Sequence, residues 1–200
     1  MPRFSYASMR RIAQASLLGT VLGAALPALA DPIPFNTFLQ FSFAEAGTAA
    51  AGCDPADPAG GFCFSSDPAT AFIGAPAWTF VAPTGGVTLT VIDAFLSGDR
   101  FEIFDFGANL GLTSNPVDGS DCGDSPLPCL ADPSMSSAVL ALGAGAHSLT
   151  IVPLLAPGGG GSAFLQVSTI PEPTSALLLS LGLAGLAARR IRGSRKAPTA

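Results

Sequence analysis

The feature that most constrains the fold is a series of short apolar segments between residues 31 and 170, separated by Gly, Pro, Asp and Ser. Within them apolar and polar side chains alternate, so that every second residue from Phe35 to Phe43 falls on one side. A period of two is typical of half-buried β-strands and not of helices. The pattern predicts about eight strands in a single all-β sandwich or barrel. The predicted strands are 35–43, 77–82, 87–91, 100–104, 110–113, 136–142, 147–154 and 163–168.

Composition supports this fold class. Of 200 residues, 23 are Gly and 18 are Pro, and only 12% are charged, which argues against a coiled coil, a helical bundle or a charged disordered chain. Phe occurs 14 times and Trp once, so we expect a core rich in Phe with Trp78 packed in or beside it. The alternative role for Trp78, an exposed platform for a sugar ring, would need aromatic neighbours.

The charges are unevenly distributed along the chain. Only one of the nine basic residues, Arg100, lies between residues 31 and 170, where 13 of the 14 acidic residues are found. Such a body cannot neutralise a row of phosphates, which excludes nucleic-acid binding and disfavours binding to anionic lipid.

Residues 1–30 have the three parts of a secretory signal peptide. Arginines near the start precede an apolar run over residues 12–26, and Ala28-Leu29-Ala30 offers small residues where signal peptidase cuts. We expect cleavage after Ala30 and export of a body spanning residues 31–168. An N-terminal anchor helix is the alternative, but the run is short and Pro27 ends it.

The C-terminus has a second ordered set of features. Pro171, Glu172 and Pro173 precede an apolar stretch, with a predicted transmembrane helix at about 174–188, and a basic tail follows over residues 189–200. The 14 apolar residues of this stretch would span roughly 21 Å as a helix, less than the roughly 30 Å hydrocarbon core. The basic residues should stay in the cytoplasm, which places the body outside the inner membrane. These residues are Arg189, Arg190, Arg192, Arg195 and Lys196.

The segment 169–200 resembles the PEP-CTERM sorting signal of Gram-negative bacteria. In that family an exosortase recognises the Pro-Glu-Pro motif, the short helix and the Arg-rich tail, and cuts near the motif. The resemblance implies signal peptidase and exosortase as processing partners, transient contact with the inner membrane, and a final location in the cell envelope, at the surface or in the extracellular matrix. A permanent C-terminal anchor is the alternative.

Part of the body, residues 78–168, resembles an extracellular jelly-roll domain that recurs among PEP-CTERM proteins. The resemblance rests on Gly-Asp-Arg-Phe-Glu within 97–105, Leu-Gly-Leu-Thr-Ser at 110–114, and Gly-Ala-His-Ser-Leu-Thr-Ile at 145–151. This sequence departs from the group at Phe106, where we would expect Asn in the turn. The resemblance implies a jelly-roll-like β-sandwich and says little about activity.

The four cysteines of the body, Cys53, Cys63, Cys122 and Cys129, favour disulfides in an exported protein. Of three possible pairings we expect Cys53 with Cys63 and Cys122 with Cys129, because each pair closes a short loop rich in Pro, Gly and Asp. The alternative is a zinc site made of all four, but the gaps of nine and six residues lack a zinc knuckle.

An acidic loop, residues 118–132, is the candidate ligand site. It holds Asp118, Asp121 and Asp124 near Cys122, with Asp132 after Cys129, and these oxygens could bind Ca²⁺. Their spacing is not that of an EF-hand, and solvated acids are the alternative. Asp99, Glu102 and Asp105 form a second acidic group.

The sequence does not favour catalysis. His147 is the one histidine, so a Ser-His-Asp triad would depend on it, and no Gly-x-Ser-x-Gly motif is present. We expect His147 to be a hydrogen-bonded structural residue. Gly158 to Gly161 lacks the Lys of a phosphate loop and predicts a hairpin connection.

We therefore expect a non-enzymatic protein with a structural or adhesive role. The alternatives are a carbohydrate-binding module, with or without Ca²⁺, for which extracellular polysaccharide is the candidate partner, and, more remotely, an ice-binding protein. No cofactor other than Ca²⁺ is expected.

Overall fold

The computed structural model describes residues 32–170, 179 and 181–184. Residues 32–170 contain nine strands and one short helix, in a sandwich of two sheets. The elements are β1 (Phe38–Phe43), β2 (Ala71–Phe72), β3 (Trp78–Ala82), β4 (Val87–Asp93), β5 (Arg100–Asp105), β6 (Ala108–Leu112), α1 (Pro126–Ala131), β7 (Ser137–Leu142), β8 (Gly145–Leu155) and β9 (Gly161–Thr169).

The strand order is that of a jelly roll. One sheet has the order β2-β1-β9-β4-β7 and the other β3-β8-β5-β6, and all pairings are antiparallel except β1 with β2. Apart from the β5–β6 hairpin, consecutive strands from β3 onward lie in different sheets, so the two sheets share one core between them. The expected single β-sandwich with a jelly-roll-like fold is confirmed.

Aromatic rings fill the space between the sheets. The Phe41 ring lies 5.4 Å from that of Trp78 and 5.9 Å from that of Phe101, and Phe43 contacts Phe101 at 5.0 Å. Trp78 is fully buried, and its indole Nε1 donates a hydrogen bond of 2.8 Å to the Gly74 carbonyl. The expected Phe-rich core containing Trp78 is confirmed. The hydrogen bond of the indole N–H offsets the cost of removing this group from water.

The outer face of the five-stranded sheet is covered by its own connections. Ile92 of β4 and Phe164 of β9 are fully buried on this face, against Cys129 of α1 and Met135. Over the β1 half, the Ser42 hydroxyl donates to the Gly52 carbonyl of the β1–β2 connection. Both disulfide-containing segments therefore stabilise one sheet from outside.

The eight predicted strands correspond to the eight longer strands observed. Two elements were not predicted, β2 and α1. β2 is two residues long and pairs in parallel with β1, too short to produce a pattern. α1 is one and a half turns, with Pro126 in its first turn and Pro128 inside it, so no helical period is visible in the sequence.

The two terminal segments lie almost wholly outside the described residues. This holds for the predicted signal peptide at 1–30 and for the sorting segment beyond residue 170, including its basic tail. Within the predicted helix, residues 179 and 181–184 are helical and exposed. In the part of the chain that the structure describes, no helix has the length and apolarity needed to cross a membrane.

Candidate ligand-binding pocket

A cavity of about 740 Å³ opens at one end of the sandwich. It lies between the β4–β5 loop, the β8–β9 connection with the start of β9, and the segment just before and after Cys63. We call it the aromatic pocket, since its walls include Phe43, Phe62, Phe64, Phe95, Leu96 and Asp99. A concave apolar surface with a few polar groups is the usual form of a small-ligand site.

Two exposed phenyl rings form one wall. The side chains of Phe62 and Phe64 are 83% and 54% exposed, and Leu96 across the cavity is 67% exposed. Cys63, between the two phenylalanines, is buried and bonded to Cys53, so the disulfide holds the backbone that carries both rings. Apolar side chains grouped around a cavity indicate a binding surface, whereas singly scattered ones do not.

A buried amide connects the two walls of the aromatic pocket. Gln40 of β1 is fully buried, and its Nε2 donates 2.9 Å hydrogen bonds to the Phe64 carbonyl and to the Ser162 hydroxyl of β9. Its Oε1 has no hydrogen-bond partner within the described residues. The Phe64 segment is thus hydrogen-bonded to β1 and connected through Gln40 to β9.

Two carboxyl groups meet at the opposite wall, and we call Asp93 and Asp99 the carboxyl pair. Asp93 ends β4 and is fully buried, and its two oxygens accept hydrogen bonds from the backbone N–H groups of Ala94, at 2.8 Å, and Asp99, at 3.2 Å. Asp99 is half-buried and lines the pocket. The two carboxyl groups are close enough for each to affect the pKa of the other.

The surroundings raise the pKa of both acids. Burial, and then the charge of Asp99, raises the pKa of Asp93 to about 8 despite opposing backbone hydrogen bonds. Burial raises the pKa of Asp99 to about 6, against the hydrogen bond with Asp93. At neutral pH the pair therefore holds one proton, mainly on Asp93, and one negative charge, mainly on Asp99 at the pocket.

The carboxyl pair was not predicted from the sequence, although β4 contains a signal for it. In β4 the core-facing positions are Val87, Leu89 and Val91, and the next position in the same period is Asp93. A carboxyl group in the continuation of a buried face indicates either a special partner or a functional site. Asp99 had been grouped with Glu102 and Asp105, from which the structure separates it.

Both disulfides have the predicted pairing. Cys53 is bonded to Cys63 with the Cα atoms 5.5 Å apart, and Cys122 to Cys129 with the Cα atoms 4.9 Å apart. The alternative of a four-cysteine zinc site is wrong, since the thiols are used up in these bonds.

Within residues 32–170 the four aspartates of the acidic loop do not form one metal-binding group. Asp124 accepts hydrogen bonds from Ser66, Asp132 from the Ser120 hydroxyl and the Ser134 N–H, and Asp121 from the Gly123 N–H. Asp118 lies apart, at a second cavity of about 510 Å³. Local hydrogen bonds hold Asp121 and Asp132, and Ser66 from a distant segment holds Asp124. No three potential ligands within residues 32–170 form a metal-binding group.

The pKa of Asp132 reflects its hydrogen bonds. Hydrogen bonds from Ser120, followed by that of the Ser134 N–H, lower its pKa below the ordinary value. A carboxylate that accepts this many donors is used in holding the loop together, which agrees with a structural role.

His147 is a hydrogen-bonded structural residue, as predicted. Its Nδ1 lies 2.8 Å from an Asp105 carboxylate oxygen, its Nε2 lies 3.0 Å from the Gly143 carbonyl, and its ring stacks on Phe80 with centroids 4.9 Å apart. Both ring nitrogens contact acceptor oxygens, and neither contacts a serine hydroxyl. The contacts attach the β5–β6 end of one sheet to its edge strand β3.

Comparison with known proteins identifies the C-terminal segment. Residues 169–192 match the model of the PEP-CTERM protein-sorting motif, which includes Pro171, Glu172, Pro173, Arg189, Arg190 and Arg192. No curated protein and no solved structure matches the chain. The match covers the sorting segment and not the β-sandwich. The chain therefore carries a PEP-CTERM protein-sorting motif, which implies processing by an exosortase and export to the cell envelope or surface.

Proposed function

We propose that this protein is a non-enzymatic surface protein that adheres to extracellular polysaccharide through its aromatic pocket. One observation carries the proposal: exposed phenyl rings at positions 62 and 64 face a cavity that also contains the carboxylate of Asp99. A pyranose ring has an apolar C–H face that packs on aromatic rings and hydroxyl groups that donate to carboxylates. The cavity offers both surfaces within one site.

The export route supports this role. A sorting motif directs the chain to the envelope or surface, where polysaccharide is the abundant polymer. We further propose that the host is a Gram-negative bacterium and that the final location is its surface or extracellular matrix. The two disulfides suit an oxidising compartment outside the inner membrane.

The arrangement of acids favours binding over hydrolysis. Glycosidases hold their two carboxyl groups roughly 5 Å or more apart, one on each side of the scissile bond. Asp93 is fully buried and accepts a hydrogen bond from the backbone N–H of Asp99, so only Asp99 of the two lines the cavity. His147 has both ring nitrogens engaged. These contacts support a non-enzymatic role.

Ice binding has little support. It needs a flat, exposed face rich in Thr, and the candidates Thr88 and Thr90 lie on the outer face of β4. Thr90 is only 7% exposed, so the two do not form such a face.

A glycan array with the exported protein tests the proposal, with and without EDTA. We expect binding that EDTA does not remove, because the pocket needs no metal. Phe62→Ala should weaken binding about tenfold or more, as expected for loss of an aromatic stacking partner. Phe106→Ala is the matched control, since Phe106 is 69% exposed and lies in the β5–β6 turn, at the far end of β5 from the pocket.

Either of two results would reject carbohydrate binding. The first is no signal on any glycan with a correctly folded, disulfide-bonded protein. The second is an equal loss of glycan affinity in Phe62→Ala and Phe106→Ala, which would indicate non-specific binding to exposed aromatic rings. A purely structural role for the body would then be the better explanation.

A further inference from the structure

The charge of the carboxyl pair has no cationic partner in the described part of the chain. Residues 32–170 contain twelve acidic side chains and one arginine. Arg100 donates from its Nε to the Thr113 carbonyl at 3.1 Å, and His147 contacts Asp105 rather than Asp99. Buried and half-buried charges are usually paired with an opposite charge. The half-buried Asp99 carboxylate has no such partner among the described residues, and it lies beside a cavity.

We propose that the aromatic pocket selects glycans with a free amino group, whose ammonium forms an ion pair with Asp99 while the sugar ring packs on Phe62 and Phe64. This inference rests on the carbohydrate-binding function proposed above. It adds the chemical class of the ligand, an amino sugar that is not N-acetylated.

Local chemistry favours an amine over a neutral or acidic sugar. An ammonium brings three donors and a positive charge to a half-buried carboxylate, and such charge-assisted hydrogen bonds are about twice as strong as neutral ones. Asp99 is the one ionisable side chain among the described residues that line the cavity. A carboxylated sugar would therefore meet repulsion with no cation to offset it.

The state of the pair at neutral pH also suits a cation. The raised pKa of Asp93 means that this buried group keeps the proton, so the negative charge is on Asp99, where a ligand can reach it. The acidic surface of the body adds a long-range field that concentrates cationic ligands and repels anionic ones.

Two oligosaccharides that differ only in acetylation provide the test. Titration calorimetry at pH 6.5 would compare an oligomer of β-linked glucosamine with the N-acetylated oligomer of equal length, on the mature exported protein. We expect the amine form to bind about tenfold more tightly, and added salt of about 0.5 M to reduce that difference.

Two variants assign the effect to a residue. Asp99→Asn should lower the affinity for the amine oligomer about tenfold and leave the affinity for the acetylated one unchanged. Glu102→Gln removes one charge on β5, where the side chain contacts Asn109 outside the pocket, and should leave the preference intact. If Asp99→Asn does not fold, the salt series on the unchanged protein decides the question.

The possible outcomes separate this inference from the proposed function. Equal affinity for the two oligomers, or a preference that survives in Asp99→Asn, would overturn amine selection and leave carbohydrate binding in place. If neither oligomer binds and the glycan array shows no signal, amine selection and carbohydrate binding are both rejected. Binding of other, neutral glycans without either oligomer would also overturn amine selection.

Discussion

The raised pKa of Asp93 makes the stability of the sandwich depend on pH, and one substitution should remove this contribution. In Asp93→Asn the buried acid becomes a neutral group of the same shape. The folded protein holds the proton of Asp93 up to a pKa of about 8, whereas the unfolded chain loses it near the ordinary value of 3.8. Folding therefore takes up a proton between these two pH values.

This uptake of a proton sets how the free energy of unfolding changes with pH. Because the folded pKa is raised, Asp93 costs no stability below about pH 4, and the cost grows as pH rises toward 8 and is constant above that. The free energy of unfolding falls by at most about 1.4 kcal/mol per pH unit. Over the range between the two pKa values, the loss is therefore on the order of 5 kcal/mol at the upper bound. Asn cannot accept both backbone N–H groups that Asp93 accepts, which costs the variant about 1–3 kcal/mol at every pH.

Urea unfolding at pH 4, 5, 6, 7 and 8 measures the difference. We expect the wild type to be more stable than Asp93→Asn at pH 4, with the gap closing and then reversing toward pH 8. Asp99→Asn should lower the pKa of Asp93, because the charge of Asp99 contributes to raising it. The loss of stability should then end at a lower pH than in the wild type. Parallel stability curves for wild type and Asp93→Asn from pH 4 to 8 would refute the reasoning.

Four further predictions concern processing, cross-links, ions and one turn. Intact-mass analysis of protein from its host should find a chain that starts at Asp31 and lacks Lys196; a main species that retains Lys196 would indicate a permanent anchor. Replacing Cys122 and Cys129 together by Ser should lower the free energy of unfolding by roughly 2.5 kcal/mol for an eight-residue loop, and an unchanged urea midpoint would contradict this. Millimolar Ca²⁺ should leave the melting temperature unchanged, because the carboxylates of the acidic loop are held apart, whereas a rise of several degrees would restore the calcium hypothesis. Phe106→Asn should raise the free energy of unfolding by about 0.5–1 kcal/mol, since Phe106 has φ of 47° in the β5–β6 turn and Asn adopts that region more readily; lower stability would contradict the assignment.

Local patterns in the sequence were sufficient to predict the longer strands, the disulfide pairing and the sorting motif. Strands with one buried face must alternate, so the eight longer strands could be located from their period of two. Short loops rich in turn residues made the pairing of Cys53 with Cys63 predictable. The sorting motif is a linear signal, and it could be found without any fold.

The aromatic pocket could not be predicted in this way, because it combines segments far apart in the chain. Phe64 is attached by Gln40 to β9, and Asp93 meets Asp99 only because the β4–β5 loop folds back at the end of the sandwich. In the acidic loop, by contrast, closeness in sequence does not bring the carboxylates together. Asp124 and Asp132 are each held by hydrogen bonds to different serines. Sequence therefore determined the strands, the cross-links and the destination, all of which depend on local spacing. Tertiary structure decided which carboxyl groups meet and which rings surround a cavity, because those contacts depend on how the two sheets and their loops pack.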